Sequence, residues 1–145
     1  MLSKYVAALA LLTPFVATAQ DDAYQIDMSC AATVKEFFTP LVQQGVINTK
    51  AISIDPKTSM NHFDLAENRQ ATVYGMPIKI IFGYADEPLL FIRGMKVPGA
   101  GYGVIVNEGV ANVQAQLNSF GATRAKALRV KTDYTAIACE EKVKK

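Results

Sequence analysis

Tyr74–Arg93, reading YGMPIKIIFGYADEPLLFIR, is the most apolar continuous stretch after the N-terminal leader, and its reading decides the fold. Alternation puts Ile78, Ile80, Phe82 and Tyr84 on one face of a strand. Ala85-Asp86-Glu87-Pro88 has turn chemistry, and Leu89 to Ile92 reads as the returning strand of a buried hairpin. On this reading Ile80 points into the core, and a carboxylate placed there would unfold the domain.

Strands are expected on both sides of the hairpin. Upstream, Ile52 and Ile54 share a face within Lys50–Asp55, Phe63 and Leu65 alternate with His62 and Asp64, and Ala71–Tyr74 leads into Pro77. Downstream, Gly94–Gly103 (GMKVPGAGYG) has neither the dinucleotide-binding nor the P-loop spacing, so it reads as a surface loop. Val104 to Val106 is a short strand after it. Ala125–Lys131 and Tyr134–Glu140 close the chain as strands, with Ile137 and Cys139 on the core face of the last one.

Two helices are expected. Ser29 can cap the first, from Cys30 to about Gln44, in which Val34, Phe37, Phe38, Leu41 and Val42 line one face. Pro40 interrupts its hydrogen bonding and Gly45 stops it. The second is capped by Asn107, carries the stripe Val110, Val113, Leu117 and Phe120, and ends at Gly121. Its other faces hold Asn112, Gln114, Gln116, Asn118 and Ser119, an ordinary wetted surface.

Residues 1–19 have the layout of a secretory signal peptide: Lys4, an apolar run from Tyr5 to Val16, and the cleavage motif Ala17-Thr18-Ala19. That run is shorter than the roughly 20 apolar residues a bilayer crossing needs. Residues 20–145 then form one exported domain, periplasmic or secreted, with no membrane insertion after cleavage. Of 15 Lys and Arg, Lys4 leaves with the leader, and 13 Asp and Glu balance the rest, so no basic field draws nucleic acid. The basic residues Lys142, Lys144 and Lys145 form a solvated tail. Cys30 and Cys139 are the two cysteines, and an even count in an exported chain reads as a disulfide. The order of elements gives a single α+β domain: an antiparallel sheet of about five to six short strands, two amphipathic helices packed on one face, and one disulfide.

Chemical signals are sparse. His62 is the one histidine, and Asp64 shares its strand face, a weak polar pair that lacks any nucleophile motif beside it. No metal-ligand spacing is present, and no cofactor is expected. Tyr84, Asp86 and Glu87 at the hairpin tip, with Tyr102 in the glycine-rich stretch, are the candidate partner-binding residues. The expected function is a non-enzymatic protein-binding module acting on another exported or envelope protein, such as an inhibitor, an immunity-type protein or an assembly factor. The alternatives are an envelope hydrolase using His62 and Asp64, or a carrier of a small apolar ligand between sheet and helices.

Overall fold

A computed structural model of the chain describes residues 22–86, 90–94 and 100–141. The expected leader at 1–19, the turn residues Glu87 and Pro88 and the basic tail from Lys142 lie outside the described residues. In chain order the elements are β1 (Tyr24–Ile26), α1 (Val34–Gln43), β2 (Ser53–Ile54), β3 (Asn61–Asp64), β4 (Ala71–Val73), β5 (Met76–Tyr84), β6 (Ala100–Val106), α2 (Val110–Ser119), β7 (Lys126–Lys131) and β8 (Tyr134–Glu141). The eight strands make one sheet in the order β1-β4-β5-β6-β8-β7, with β3 pairing β5 beyond β4 and β2 pairing β3. The sheet is mixed, because β1 runs parallel to β4 while the other pairs are antiparallel. The expected antiparallel sheet is therefore corrected to a mixed sheet of eight strands. Three-residue β1 carries too little periodicity to be read as a strand from sequence.

The core is a row of side chains running straight across the sheet. Phe63 on β3 lies opposite Ile81, Ile81 opposite Val104, and Val104 opposite Ile137. All four are fully buried, and the buried residues of α1 (Val34, Phe37, Phe38, Leu41) and α2 (Val113, Leu117) belong to the same cluster. Both helices thus cover one face of the sheet.

β5 does not keep one alternation along its length. Ile78 pairs with Val106 but Ile80 pairs with Ile105, so one extra residue, Lys79, is accommodated between them as a bulge. The bulge keeps the Lys79 ammonium exposed and brings Ile81, not Ile80, onto the helix-covered face. Ile78, Ile80, Phe82 and Tyr84 consequently do not share a face, a correction to the expected alternation.

The partner of β5 is also different. Its antiparallel neighbour is β6, and Leu90 to Gly94 is irregular. The reason is Asn61, wholly buried, whose amide takes the place of a strand: Ile92 N–H donates to Asn61 Oδ1 at 2.8 Å and Asn61 Nδ2 donates to the Ile92 carbonyl at 2.8 Å. Ser59 Oγ accepts from Gly94 N at 3.0 Å alongside. Phe91 then packs edge-on against Phe38 at 5.0 Å and Phe63 at 6.1 Å. The glycine-rich stretch expected as a surface loop contributes Gly101 and Gly103 to the central strand β6.

Both helices start later than their sequence suggests. α1 is capped by Thr33, whose Oγ1 accepts from Glu36 N at 3.1 Å while Glu36 Oε2 accepts from Thr33 N at 2.8 Å. Ser29 instead bonds Asp27, and Cys30 has a left-handed backbone (φ 64°) outside the helix. Pro40 sits inside α1 without ending it. α2 begins after Gly109, not Asn107, and its stripe narrows to Val113 and Leu117, with Phe120 59% exposed. The stops at Gly45 and Gly121 are as expected, each closed by the paired bonds of a Schellman motif, Val46 N to Leu41 O and Ala122 N to Leu117 O, both at 2.9 Å.

The segment joining β1 to α1 is tied down along its length. Asp27 accepts from Ser29 Oγ at 2.7 Å, Ser29 N at 3.0 Å and the Tyr74 hydroxyl at 3.1 Å. Cys30 and Cys139 form a disulfide with Cα atoms 5.3 Å apart, closing 109 residues, worth about 4 to 5 kcal/mol in the chain-entropy account. Val34 N donates to Glu141 Oε2 at 3.1 Å just beyond. Tyr74 and Gly75 make the two-residue turn between β4 and β5, both with positive φ (48° and 78°). A tyrosine is unfavourable there, and its ring is held by stacking on Phe120 at 4.7 Å.

Two outcomes follow from this arrangement. Ile81→Asp buries an unpaired carboxylate, costing several kcal/mol of a total near 5 to 15, and should abolish cooperative urea unfolding, whereas Ile80→Asp, at a partly buried position on the outer face, should keep it. Asp27 has its carboxyl held below the ordinary 3.8 chiefly by the Ser29 hydroxyl. Its stabilisation is complete above that ordinary value and is lost as pH falls through the lower folded one. Urea titrations between about pH 6 and about pH 2 should show unfolding free energy dropping over that acid window, and Asp27→Asn should flatten the drop.

Candidate functional site

The residues singled out at the hairpin tip occupy different surroundings. Tyr84 is 3% exposed and its hydroxyl donates to Asp86 Oδ1 at 2.8 Å. Burial pushes the phenol up, and the Asp86 carboxylate adds to the shift. Tyr102 is 1% exposed, stacks on Phe37 at 4.2 Å and donates to the Ala32 carbonyl at 2.8 Å, with its phenol likewise raised by burial. Both rings are spent inside the molecule, and Asp86 is the exposed member of the group. Glu87 lies outside the described residues. The glycines flanking Tyr102 suggested a loop, but Gly103 is in fact a close-approach position: a Cβ there would collide with the Phe82 ring and the Ile137 carbonyl.

His62 and Asp64 do share a face, the one turned away from the helices, where His62 lies opposite Phe82 and Asp64 opposite Ile80. The two rings of His62 and Phe82 are 6.0 Å apart, and His62 Nδ1 is buried with no hydrogen-bond partner. The Asp55 carboxyl is held below its ordinary value chiefly by the Lys57 backbone N–H. Among the described residues no three His, Cys, Asp or Glu side chains converge as metal ligands. An orienting carboxylate and a base need a nucleophile within hydrogen-bond reach; the hydroxyl in register with the pair is that of Ser53, opposite His62 on β2, and His62 Nδ1 makes no hydrogen bond to it.

What the outer face does bring together is two continuous rows. His62, Phe82, Gly103, Ala138 and Lys126 stand opposite one another across five strands, and Asp64, Ile80, Ile105, Ala136 and Leu128 form the next row. Small residues at the centre let the Phe82 ring lie flat over Gly103. Beside Ile80 and Ile105 lies a shallow, open depression of about 590 Å³, with Leu65 and Tyr134 completing its apolar lining. Asn48, Asp64, Glu67 and the bulged Lys79 supply its polar groups. An apolar surface with a few convergent polar groups is the usual form of a binding site. The sequence signal for it was present in the outward His62–Asp64 alternation, but the contribution of Ile80 and Lys79 depends on the bulge.

Compared with protein-family models, with curated proteins and with solved structures, the chain matches none.

Replacing His62 by Phe removes a buried nitrogen that has no partner. The urea midpoint should stay level or rise by an amount corresponding to about 1 kcal/mol, and a marked fall would show that Nδ1 is engaged in solution.

Proposed function

We propose that the chain is a small exported binding module, without chemistry of its own, which engages another envelope protein through the outer face of its sheet. The observation that supports this most is the row Ile80, Ile105, Ala136 and Leu128, apolar side chains on the face opposite both helices, with Leu128 51% exposed. The leader at residues 1–19 supports export, and the Cys30–Cys139 disulfide fits an oxidising compartment. Among the described residues no helix is long and apolar enough to cross a membrane. The space between sheet and helices is filled by Met28, Leu41, Phe63, Ile81, Val104 and Leu117, so any occupant is better received on the outer face.

The reading is tested by placing a photo-crosslinking amino acid at Ile80 or Leu128 on the outer face, and at Val42 or Gln116 on the helices, in the exported protein in its host. Discrete adducts from Ile80 and Leu128, absent from the helix positions, are the expected result. Adducts from the helix positions alone, or from none of the four, would remove the support.

A further inference from the structure

The outer rows end at β7, and that strand differs from the rest of the sheet. It pairs with β8 alone, so among the described residues one whole edge of its backbone N–H and C=O groups has no strand partner. Its sequence, Lys126-Ala127-Leu128-Arg129-Val130-Lys131, has three cations and no carboxylate, and Arg124 precedes it. Leu128 and Val130 are 51% and 49% exposed, two branched aliphatic side chains on one short edge strand. Lys126 meets Glu140 at 3.4 Å, both well exposed, and Arg129 reaches Thr132 Oγ1 at 3.4 Å. The other end of the apolar row is acidic, at Asp64 and Glu67.

Resting on the binding-module reading, we infer that the partner docks as an extended, acidic segment that adds a strand to the free edge of β7. Three properties of the edge support this occupant. An unpaired edge supplies main-chain hydrogen bonds to any extended chain, and the exposed Leu128 in its regular part supplies an apolar contact. The cations set the sign of the incoming charge: in the register that puts an apolar side chain opposite Leu128, alternation puts a carboxylate opposite Arg129, a favourable cross-strand arrangement, with Lys126 and Lys131 adding positive charge on either side. A second copy of this chain is disfavoured, because β7 laid against β7 would bring six cations and no strand carboxylate into one seam. The bulge between Arg129 and Lys131 confines regular pairing to the part of β7 before Val130. Charged edges protect sheets from indiscriminate pairing, and here the protection is of one sign, which leaves an acidic strand as the permitted guest.

The experiment uses the oxidised mature protein and two synthetic peptides of equal length, alternating Glu and Val in one and Lys and Val in the other. Backbone amide exchange and chemical shifts are followed by NMR. The Glu-Val peptide should slow exchange at β7 amides and shift their resonances. Its affinity should fall at least tenfold in the Arg129→Glu/Lys131→Glu variant, both sites being exposed and the fold checked by an unchanged urea midpoint, and should fall as salt is raised. The Lys-Val peptide should leave β7 unaffected. Equal binding of both peptides, no effect at β7, or a concentration-dependent dimer through β7 would each overturn the inference. An outer-face adduct from Ile80 in the host, together with no protection of β7 by the acidic peptide, would remove the edge inference and leave the binding-module reading standing. Protection of β7 with no adduct at any crosslinking position would do the reverse.

Discussion

The inner surface of this sheet depends on one extra residue in β5. Without the bulge at Lys79, strict alternation from Ile78 would turn an ammonium toward the helices or carry Ile81 out of the row formed with Phe63, Val104 and Ile137. With it, the longest internal strand keeps apolar residues inward at both ends, at Met76 and Ile78 before the bulge and at Ile81 after it. The same displacement serves the other side, because it turns Ile80 outward beside Ile105 and leaves Lys79 at the rim of the depression. Core and candidate site are thus two faces of a single register choice.

Large aromatic side chains set the spacing between the sheet and α1. Phe37 lies flat on Tyr102, and Phe38 contacts Phe37, Phe63 and Phe91 in edge-to-face geometry. Such pairs add roughly 0.5 to 1.5 kcal/mol each beyond the area they bury. Phe38 also fills the space a side chain at position 83 would need, which is why the strand is glycine there. Asn61 performs a related service for the backbone, satisfying a segment that would otherwise leave its polar groups unpaired against the core.

Much of this was legible in the sequence, and most of what was not has a common cause. The glycine stops of both helices, the outward His62 and Asp64, the two closing strands and the cysteine pair are set by neighbours within a few residues or by simple counting. Most of the errors involve partners distant in sequence, the helix caps at Thr33 and Gly109 being local exceptions. The bulge exists because Ile80 meets Ile105, the segment at Ile92 is caught by a side chain 31 residues earlier, and β1 is a strand because β4 lies beside it. Tyr84 and Tyr102 looked like surface aromatics because their neighbours are turn and glycine residues, yet each ring is buried and its hydroxyl finds an acceptor, Asp86 in one case and the Ala32 carbonyl in the other. In the candidate site only the polar pair could be read in advance, since the apolar floor follows from the register.

The disulfide has a bearing on how the chain reaches this state. Cys30 and Cys139 are separated by 109 residues, and Cys139 belongs to the last strand. A chain that emerges from its N-terminal end presents the first thiol long before the second, by on the order of ten seconds at ordinary synthesis rates. During that interval β8 is missing from its place between β6 and β7, β6 has an unfilled edge, β7 has no strand partner, and the Cys30 thiol is open to exchange with whatever oxidant it meets. The arrival of β8 therefore closes the sheet and consumes the waiting thiol in the same event, so oxidation marks the joining of β6 to β7.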